Sequence, residues 1–263
     1  MKNRTQVVIL CGGKGTRIKE ETVSKPKPMI EIGGKPILWH IMKSYSNHGF
    51  NRFILALGYK ENKIKEYFYN YQFMLHDFTI NTNPEVGAKF YNEEEVDWEV
   101  TCVNTGDDTL KGGRVKRIER YIDTDCFHLT YGDGVSNVNI SELHKFHCEN
   151  DLIGTVTAVR PPSRFGELDL DADRVVSFRE KPQLSSGFIN GGYFVFKRDF
   201  LDYLTIDKEC DLEFSALQNL AEKKQLLAYK HDGFWQCMDN VRERDYLNKL
   251  MESNNAPWLN NVY

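Results

Sequence analysis

With 263 residues, 27% of them charged and 41% hydrophobic, the chain has the composition of a folded protein of one large domain or two small ones. Thirty-four basic against 38 acidic residues leave a formal net charge of −4, which argues against a general binder of nucleic acid or anionic membrane. A chain of this size buries about three quarters of its unfolded surface, so it needs no disulfide or metal to fold.

Residues 6–11 form a continuous apolar run that stops at a glycine loop, the pattern of a buried parallel strand. Pro36 opens a helical pattern in which Ile37, Leu38, Ile41, Met42 and Tyr45 recur on one face, and Gly49 closes it. Residues 53–57 read as a second strand and 63–71 as a second helix, whereas 72–104 fit poorly and read as an insertion or a β-arm. A helix is predicted over 114–121, a strand over 127–130, a helix over 141–147 and a strand over 153–159. Beyond Pro161 the pattern changes. Residues 165–170 and 175–178 flank Asp171-Ala-Asp-Arg174 as a hairpin, 192–196 adds a strand, and helices follow around 211–223 and 242–251. The alternation predicts an α/β, Rossmann-like fold: a mostly parallel mixed sheet flanked by helices, with ligands at the carboxyl ends of the strands. No repeat or linker interrupts it, so residues 1–263 read as one domain. Its halves are about 1–160 and 161–263, and the second carries a small antiparallel subregion.

Cys11, Cys102, Cys126, Cys148, Cys210 and Cys237 are scattered, with no C-x-x-C pair, as reduced thiols are. The basic start followed by Val7-Val-Ile-Leu10 is too short an apolar core for a signal peptide, and the longest uncharged stretch, 182–196, carries Ser-Ser-Gly and Asn-Gly-Gly. A cytoplasmic protein without membrane or nucleic-acid partners is expected.

The strongest chemical signal is the first strand running into Cys11-Gly-Gly-Lys-Gly-Thr-Arg17, followed by Lys25-Pro-Lys-Pro28. Glycines just past a buried strand let backbone N–H groups come close to a polyphosphate, Arg17 offers a planar fork, and Lys27 offers a compact charge. The P-loop is excluded because Gly34-Lys35 is followed by Pro36, and no G-x-G-x-x-G occurs. Asp133, between glycines in Tyr131-Gly-Asp-Gly, suits a metal–phosphate complex, since magnesium prefers one or two carboxylates with phosphate oxygens and water. His144-x-x-His147-Cys148 has one-face helical spacing, but without a second ligand pair it reads as helix surface and core edge rather than a zinc half-site. The five basic residues of 111–120 read as a solvated helix face, apart from Arg114.

Gly12-Gly-x-Gly-Thr-Arg17 with Lys25-Pro-Lys-Pro-Met-Ile-Glu-Ile-Gly-Gly-Lys-Pro-Ile-Leu38 resembles the sugar-phosphate nucleotidyltransferases. Asn104-Thr-Gly-Asp107, Gly112-Gly-Arg114, Tyr131-Gly-Asp-Gly-Val135, Arg164-Phe-Gly-Glu167, Glu180-Lys-Pro182, Ile189-Asn-Gly-Gly192 and Gly233-Phe-Trp-Gln-Cys-Met-Asp239 extend the likeness, in family order, over essentially the whole chain. The resemblance implies that Lys27, Arg17 and Asp133 are catalytic. It assigns Leu10, Cys11, Gly12, Gly13, Lys14, Gly15, Thr16, Arg17, Lys27, Thr109 and Arg114 to the nucleotide. It gives Glu180, Lys181 and Asn190 to the sugar phosphate, and Asp133 with Asp239 to Mg²⁺. Lys14 stands where the family usually has a hydrophobic residue. The implied substrates are CTP and glucose 1-phosphate, and the implied assembly is a homo-oligomer serving surface-polysaccharide sugar synthesis. dTTP or UTP, another sugar 1-phosphate, or a catalytically silent nucleotide-sugar-binding subunit remain the alternatives.

Overall fold

Along the strand Asn3–Cys11 (β1), Val7, Ile9 and Cys11 enter one hydrophobic core while Val8 and Leu10 enter another, which is why the run shows no polar alternation. Phe50–Leu57 (β2) repeats the arrangement, with Phe53, Leu55 and Leu57 on one side and Ile54 and Ala56 on the other. The computed structural model describes residues 3–83, 85–91, 96–161, 167–171, 174–179 and 187–259. Between β1 and β2 the helix Ile37–Asn47 (α1) lays Ile37, Leu38, Ile41, Met42 and Tyr45 on the first core, and it ends at Gly49 with φ +84°.

The sheet continues through Glu99–Asn104 (β3), Cys126–Tyr131 (β4), Gly154–Val159 (β5), Ile189–Lys197 (β6) and Leu226–His231 (β7). The order across it is β7-β5-β6-β4-β1-β2-β3. Pairing is parallel throughout except that β6 runs antiparallel to both β4 and β5. Lys111–Arg117 (α2) supplies Val115 to the second core, and Ile140–Glu149 (α3) and Val241–Glu252 (α4) supply Leu143 and Leu247 to the first. Asn139 and Asn240 cap α3 and α4 by accepting the amides of Glu142 and Glu243.

The mostly parallel sheet predicted from the alternation is present, with small antiparallel pairs beside it. The hairpin is the pair Glu167–Asp171 and Arg174–Arg179; Phe165 lies outside the described residues. Residues 72–104 divide differently from the expectation. Phe78–Ile80 pairs with Ala88–Phe90 as an arm, but 99–104 is the edge strand β3 of the main sheet. β7 was not predicted, because its short apolar stretch Leu226-Leu227-Ala228-Tyr229 passes at once into Lys230-His231 on a half-exposed edge strand. The helix expected over 114–121 starts one turn earlier, at Lys111, and gives way to a 3₁₀ turn at Glu119–Tyr121. That expected over 63–71 spans Glu61–Tyr69, with a separate turn at Tyr71–Leu75.

One buried titratable group ties the carboxy-terminal segment to α1. His40 is fully buried; its Nε2 faces the Ile32 carbonyl at 2.8 Å, and its Nδ1 accepts from Trp258 Nε1 at 3.2 Å. Those partners select the neutral tautomer that donates from Nε2. Burial lowers the His40 pKa to about 4 from an ordinary 6.5. Because the folded value lies below the unfolded one, the contribution is full above pH 6.5 and is lost as pH falls toward 4; it amounts to about 3 kcal/mol. Urea unfolding should therefore show stability falling between pH 6.5 and 4, and His40→Gln should remove part of that slope, buried His128 and His147 supplying more of it, while lowering stability at pH 7.

Candidate active site

The register places four strand ends at one edge of the sheet. Cys11 is level with Leu57, Leu57 with Asn104, and Leu10 with Tyr131. The chain leaves β1 toward β2 and β3 on one side and returns as β4 on the other, so the crevice of the topological switch lies above β1 and β4. The glycine loop rises there from β1, and Gly132-Asp133-Gly134 rises from β4. A cavity of about 520 Å³, within the range of small-molecule sites, opens between them.

Lys27 is held by its prolines. Pro26 (φ −70°) and Pro28 fix the 3₁₀ turn Lys27–Met29, which is closed by Met29 N–H on Pro26 O at 2.8 Å. The Lys27 side chain is 11% exposed, and its Nζ donates to Asp133 Oδ2 and to Asp239 Oδ1, each at 2.6 Å. Burial disfavours the ammonium, but the two carboxylates outweigh it and raise the Lys27 pKa above its ordinary value. Asp133 and Asp239, far apart in the chain, are joined by a two-stranded ladder. Gly134–Ser136 pairs with Trp235–Cys237, and Met238 N–H donates to Asp133 O at 2.8 Å. Arg17 stands on a turn anchored by the fully buried Ile18, is largely exposed, and donates to Asp239 Oδ2 at 2.5 Å. Two hard oxygen donors sharing one compact cation form a donor set that fits Mg²⁺.

Arg114 has a different place from the rest of its basic run. It is 4% exposed and lies behind the glycine loop. Its guanidinium donates to the carbonyls of Leu57, Gly106, Gly12 and Asp107 and to Thr105 Oγ1, at 2.6–3.1 Å. Five acceptors at and just beyond the strand ends hold it inside, and the solvated face expected for the other basic residues of 111–120 is found only at Arg120, since Lys111, Lys116 and Arg117 are half-buried and pair with Glu213, Glu119 and the Thr105 and Ile206 carbonyls. Arg114 also accounts for Gly12, where a Cβ would fall 2.1 Å from its Nη1. Gly15 is required for its backbone, at φ +61°. Gly13 has open space around its Cα. Gly12→Ala should displace the guanidinium and cost about 2–4 kcal/mol of stability. Gly13→Ala should leave the urea midpoint within error, and equal effects would remove this role of Arg114.

The remaining nucleotide-side residues surround the same crevice. Leu10 and Cys11 are buried at the end of β1, and burial pushes the Cys11 thiol above its usual range. Thr16 begins the turn that carries Arg17, and Lys14 pairs with Asp108 at 2.6 Å, both exposed. Thr109 is buried and accepts from Arg117 Nη1 at 2.7 Å. Because β6 is antiparallel, its beginning rather than its end reaches this edge, which puts Asn190 over Tyr131. Asn190 Nδ2 donates to Tyr131 Oη at 3.1 Å, and Tyr131 donates to Glu213 Oε1 at 2.7 Å. Glu213 also pairs with Lys111, whose Nζ sits 5.0 Å from the Tyr131 ring centre. Burial and the Glu213 carboxylate raise the Tyr131 pKa, so the hydroxyl stays a neutral donor. Sequence reasoning quoted Tyr131 without giving it a role, and it missed Lys111 and Glu213. Glu213 lies in the π-helical first part, Leu212–Leu217, of the helix expected around 211–223, whose pattern gives no sign of a role at the site. Glu180 and Lys181 lie outside the described residues.

Comparison with known proteins bears on the whole chain. The Nucleotidyl transferase family profile matches residues 6–241. A glucose-1-phosphate cytidylyltransferase of Salmonella typhi is 46% identical over 254 residues, covering 96% of this chain and 98% of its own. A protein of Bacillus subtilis named probable glucose-1-phosphate cytidylyltransferase is 42% identical over 253 residues, covering 96% and 98%. Among solved structures, HddC from Yersinia pseudotuberculosis superposes with a TM-score of 0.67 at 25% identity, covering 94% of this chain and 99% of its own. A UDP-glucose pyrophosphorylase complexed with UDP-glucose, at 16% identity and TM-score 0.66, shares the fold over 95% of this chain and 99% of its own.

Proposed function

We propose, since the chain belongs to the Nucleotidyl transferase family, that it joins CTP and α-D-glucose 1-phosphate into CDP-glucose with release of pyrophosphate. The observation that carries the reading is the junction of Lys27 with Asp133 and Asp239 at the mouth of the glycine loop. The relatives at 46% and 42% identity, named for glucose 1-phosphate and cytidylyl transfer, supply the substrates.

An oxygen of the sugar phosphate attacks the α-phosphorus of CTP, and pyrophosphate leaves on the opposite side. A phosphomonoester with a second pKa near 6 is already largely dianionic at pH 7, so no general base is needed. What the chain must do is bring two anions together and neutralise developing charge. Lys27 faces the α-phosphoryl region, and Arg17 with the loop amides faces the outer phosphates. Asp133 and Asp239 would hold Mg²⁺, which when bound neutralises charge on the phosphate oxygens. Arg114 keeps the loop in shape from behind. The neutral hydroxyl of Tyr131 and the amide of Asn190 face the acceptor, with Glu180 and Lys181 assigned to the sugar hydroxyls and its phosphate. On this account the first half of the chain holds the nucleotide and the second the sugar phosphate.

A homo-oligomer is proposed with it, and exposed Phe73, Met74, Phe78 and Ile80 beside and on the arm are surfaces it would cover. No helix among the described residues is long and apolar enough to cross a membrane, and the six cysteines are free thiols; a cytoplasmic place of action accords with both. The test is a grid of five nucleoside triphosphates against several sugar 1-phosphates, scored by pyrophosphate. CTP with glucose 1-phosphate should exceed every other pair by at least about tenfold in kcat/KM, the size of one or two discriminating contacts. A maximum with dTTP or UTP would move the base assignment, and no turnover anywhere would favour a silent binding subunit.

A further inference from the structure

At the amino-terminal end of β4, opposite the edge that carries the cavity, Cys126 meets the helix α3, which presents His144 and Cys148 one turn apart. One ligand atom from each of the three lies within 4.8 Å of the others. His144 Nε2 is 3.7 Å from Cys148 Sγ. Zinc–sulfur bonds of about 2.3 Å and zinc–nitrogen bonds of about 2.0 Å at tetrahedral angles require N···S separations of about 3.6 Å and S···S separations of about 3.8 Å. The spacing is thus within a few tenths of an ångström of what a tetrahedral ion needs at that pair.

The histidine is also held for the purpose. Its ring stacks on His128, with centroids 5.2 Å apart and planes at 25°, and meets the edge of Phe50 at 5.4 Å. Burial lowers the His144 pKa, which keeps a lone pair available. His147, which the helical spacing had paired with His144, is turned away; its Nδ1 is 2.9 Å from Thr155 Oγ1. The missing partner of the half-site comes from β4 instead. Cys148 is exposed, giving an ion a way in, and half-buried Cys126 closes the inner side. Burial first, and the neighbouring Cys148 second, push the Cys126 thiol up to about 11.

We propose that Cys126, His144 and Cys148 bind a thiophilic divalent cation of the zinc type, with a fourth position left to water. Binding joins one M²⁺ to two thiolates and one neutral imidazole and releases two thiol protons to the buffer, with no change of oxidation state. The ion ties α3 to β4 at a distance from the nucleotide. Cys126 and Tyr131 lie at opposite ends of the extended β4, roughly 17 Å apart along the strand, and the cluster shares no residue with the cavity. Unlike the Mg²⁺ proposed there, this ion is selected by sulfur.

The experiment uses the full-length protein, reduced and stripped with chelator, titrated with Co²⁺ in the absence of nucleotide. One Co²⁺ per chain is expected, with a thiolate-to-cobalt charge-transfer band and the strong visible absorption of a tetrahedral ion. Two protons should be released, and Zn²⁺ should abolish the spectrum. Cys148→Ser, at an exposed position that does not endanger the fold, should weaken binding by roughly a hundredfold or more, as should Cys126→Ser. His147→Gln and Asp133→Asn should leave the titration unchanged, which separates this ion from the one assigned to the cavity. A wild-type titration without a charge-transfer band, or a band that survives in Cys148→Ser, overturns the proposal. So does a chain that takes no cobalt but closes a Cys126–Cys148 disulfide on mild oxidation, because the pair is then a redox couple.

Discussion

Lys27→Ala is expected to lower kcat/KM by about a thousandfold, the size of losing a preorganised charge aimed at a developing phosphoryl charge. It should also destabilise the protein, because Asp133 and Asp239 both approach the same ammonium and would be left facing one another. With those carboxylates 33% and 22% exposed, water screens part of the repulsion, and about 1–2 kcal/mol is the expected cost. Excess Mg²⁺ should restore the stability without restoring turnover, since it neutralises the carboxylates but does not replace the lysine. Lys27→Arg should fail as well: a planar fork cannot occupy the place of a compact donor. Near-normal turnover by folded Lys27→Ala would remove the phosphate-side assignment of this loop.

Asp133→Asn and Asp239→Asn are each expected to abolish most turnover, and the double variant should be scarcely worse than either. The ladder between Gly134–Ser136 and Trp235–Cys237 makes the two carboxylates one structural unit, and a site that has lost one has little left for the other to hold. Mn²⁺, which binds such ligands more tightly, should partly rescue the single variants. The check is kcat for wild type, both singles and the double, in each metal at saturating CTP. Additive losses without metal dependence would leave at least one of the pair as a turn residue.

What the sequence disclosed was whatever is written in consecutive residues. β1, α1 and β2 announce themselves because each is buried along an unbroken face, and the glycine loop lies directly after the first. The pairing that joins Asp133 to Asp239 depends on a strand contact across about a hundred residues, which no local pattern encodes; the likeness of ordered motifs reached it where periodicity did not. The resemblance sets Arg114 apart from its basic run, but no local pattern shows what surrounds it. A run of five basic residues is usually a solvated face, yet carbonyls at the ends of β1 and β2 and in the loop after β3 gather around this one and draw it inside. Beside room for a phosphate, Gly12 gains a second reason, room for a guanidinium. The role of Glu213 and the strand β7 were hidden for different reasons, the one on a helix whose pattern gives no sign of it and the other at a half-exposed edge. The cysteine–histidine cluster was half visible, as one face of a helix, and its third member needed the fold.

Phosphorus NMR of the wild-type protein mixed with CTP, glucose 1-phosphate and Mg²⁺ follows the bond changes themselves. The expected result is loss of the three CTP signals and of the sugar phosphate, with the paired signals of CDP-glucose and that of pyrophosphate growing in equal amounts. Appearance of CDP and inorganic phosphate would place the cleavage between the outer phosphates and contradict transfer at the α-phosphorus. An unchanged spectrum would contradict catalysis altogether.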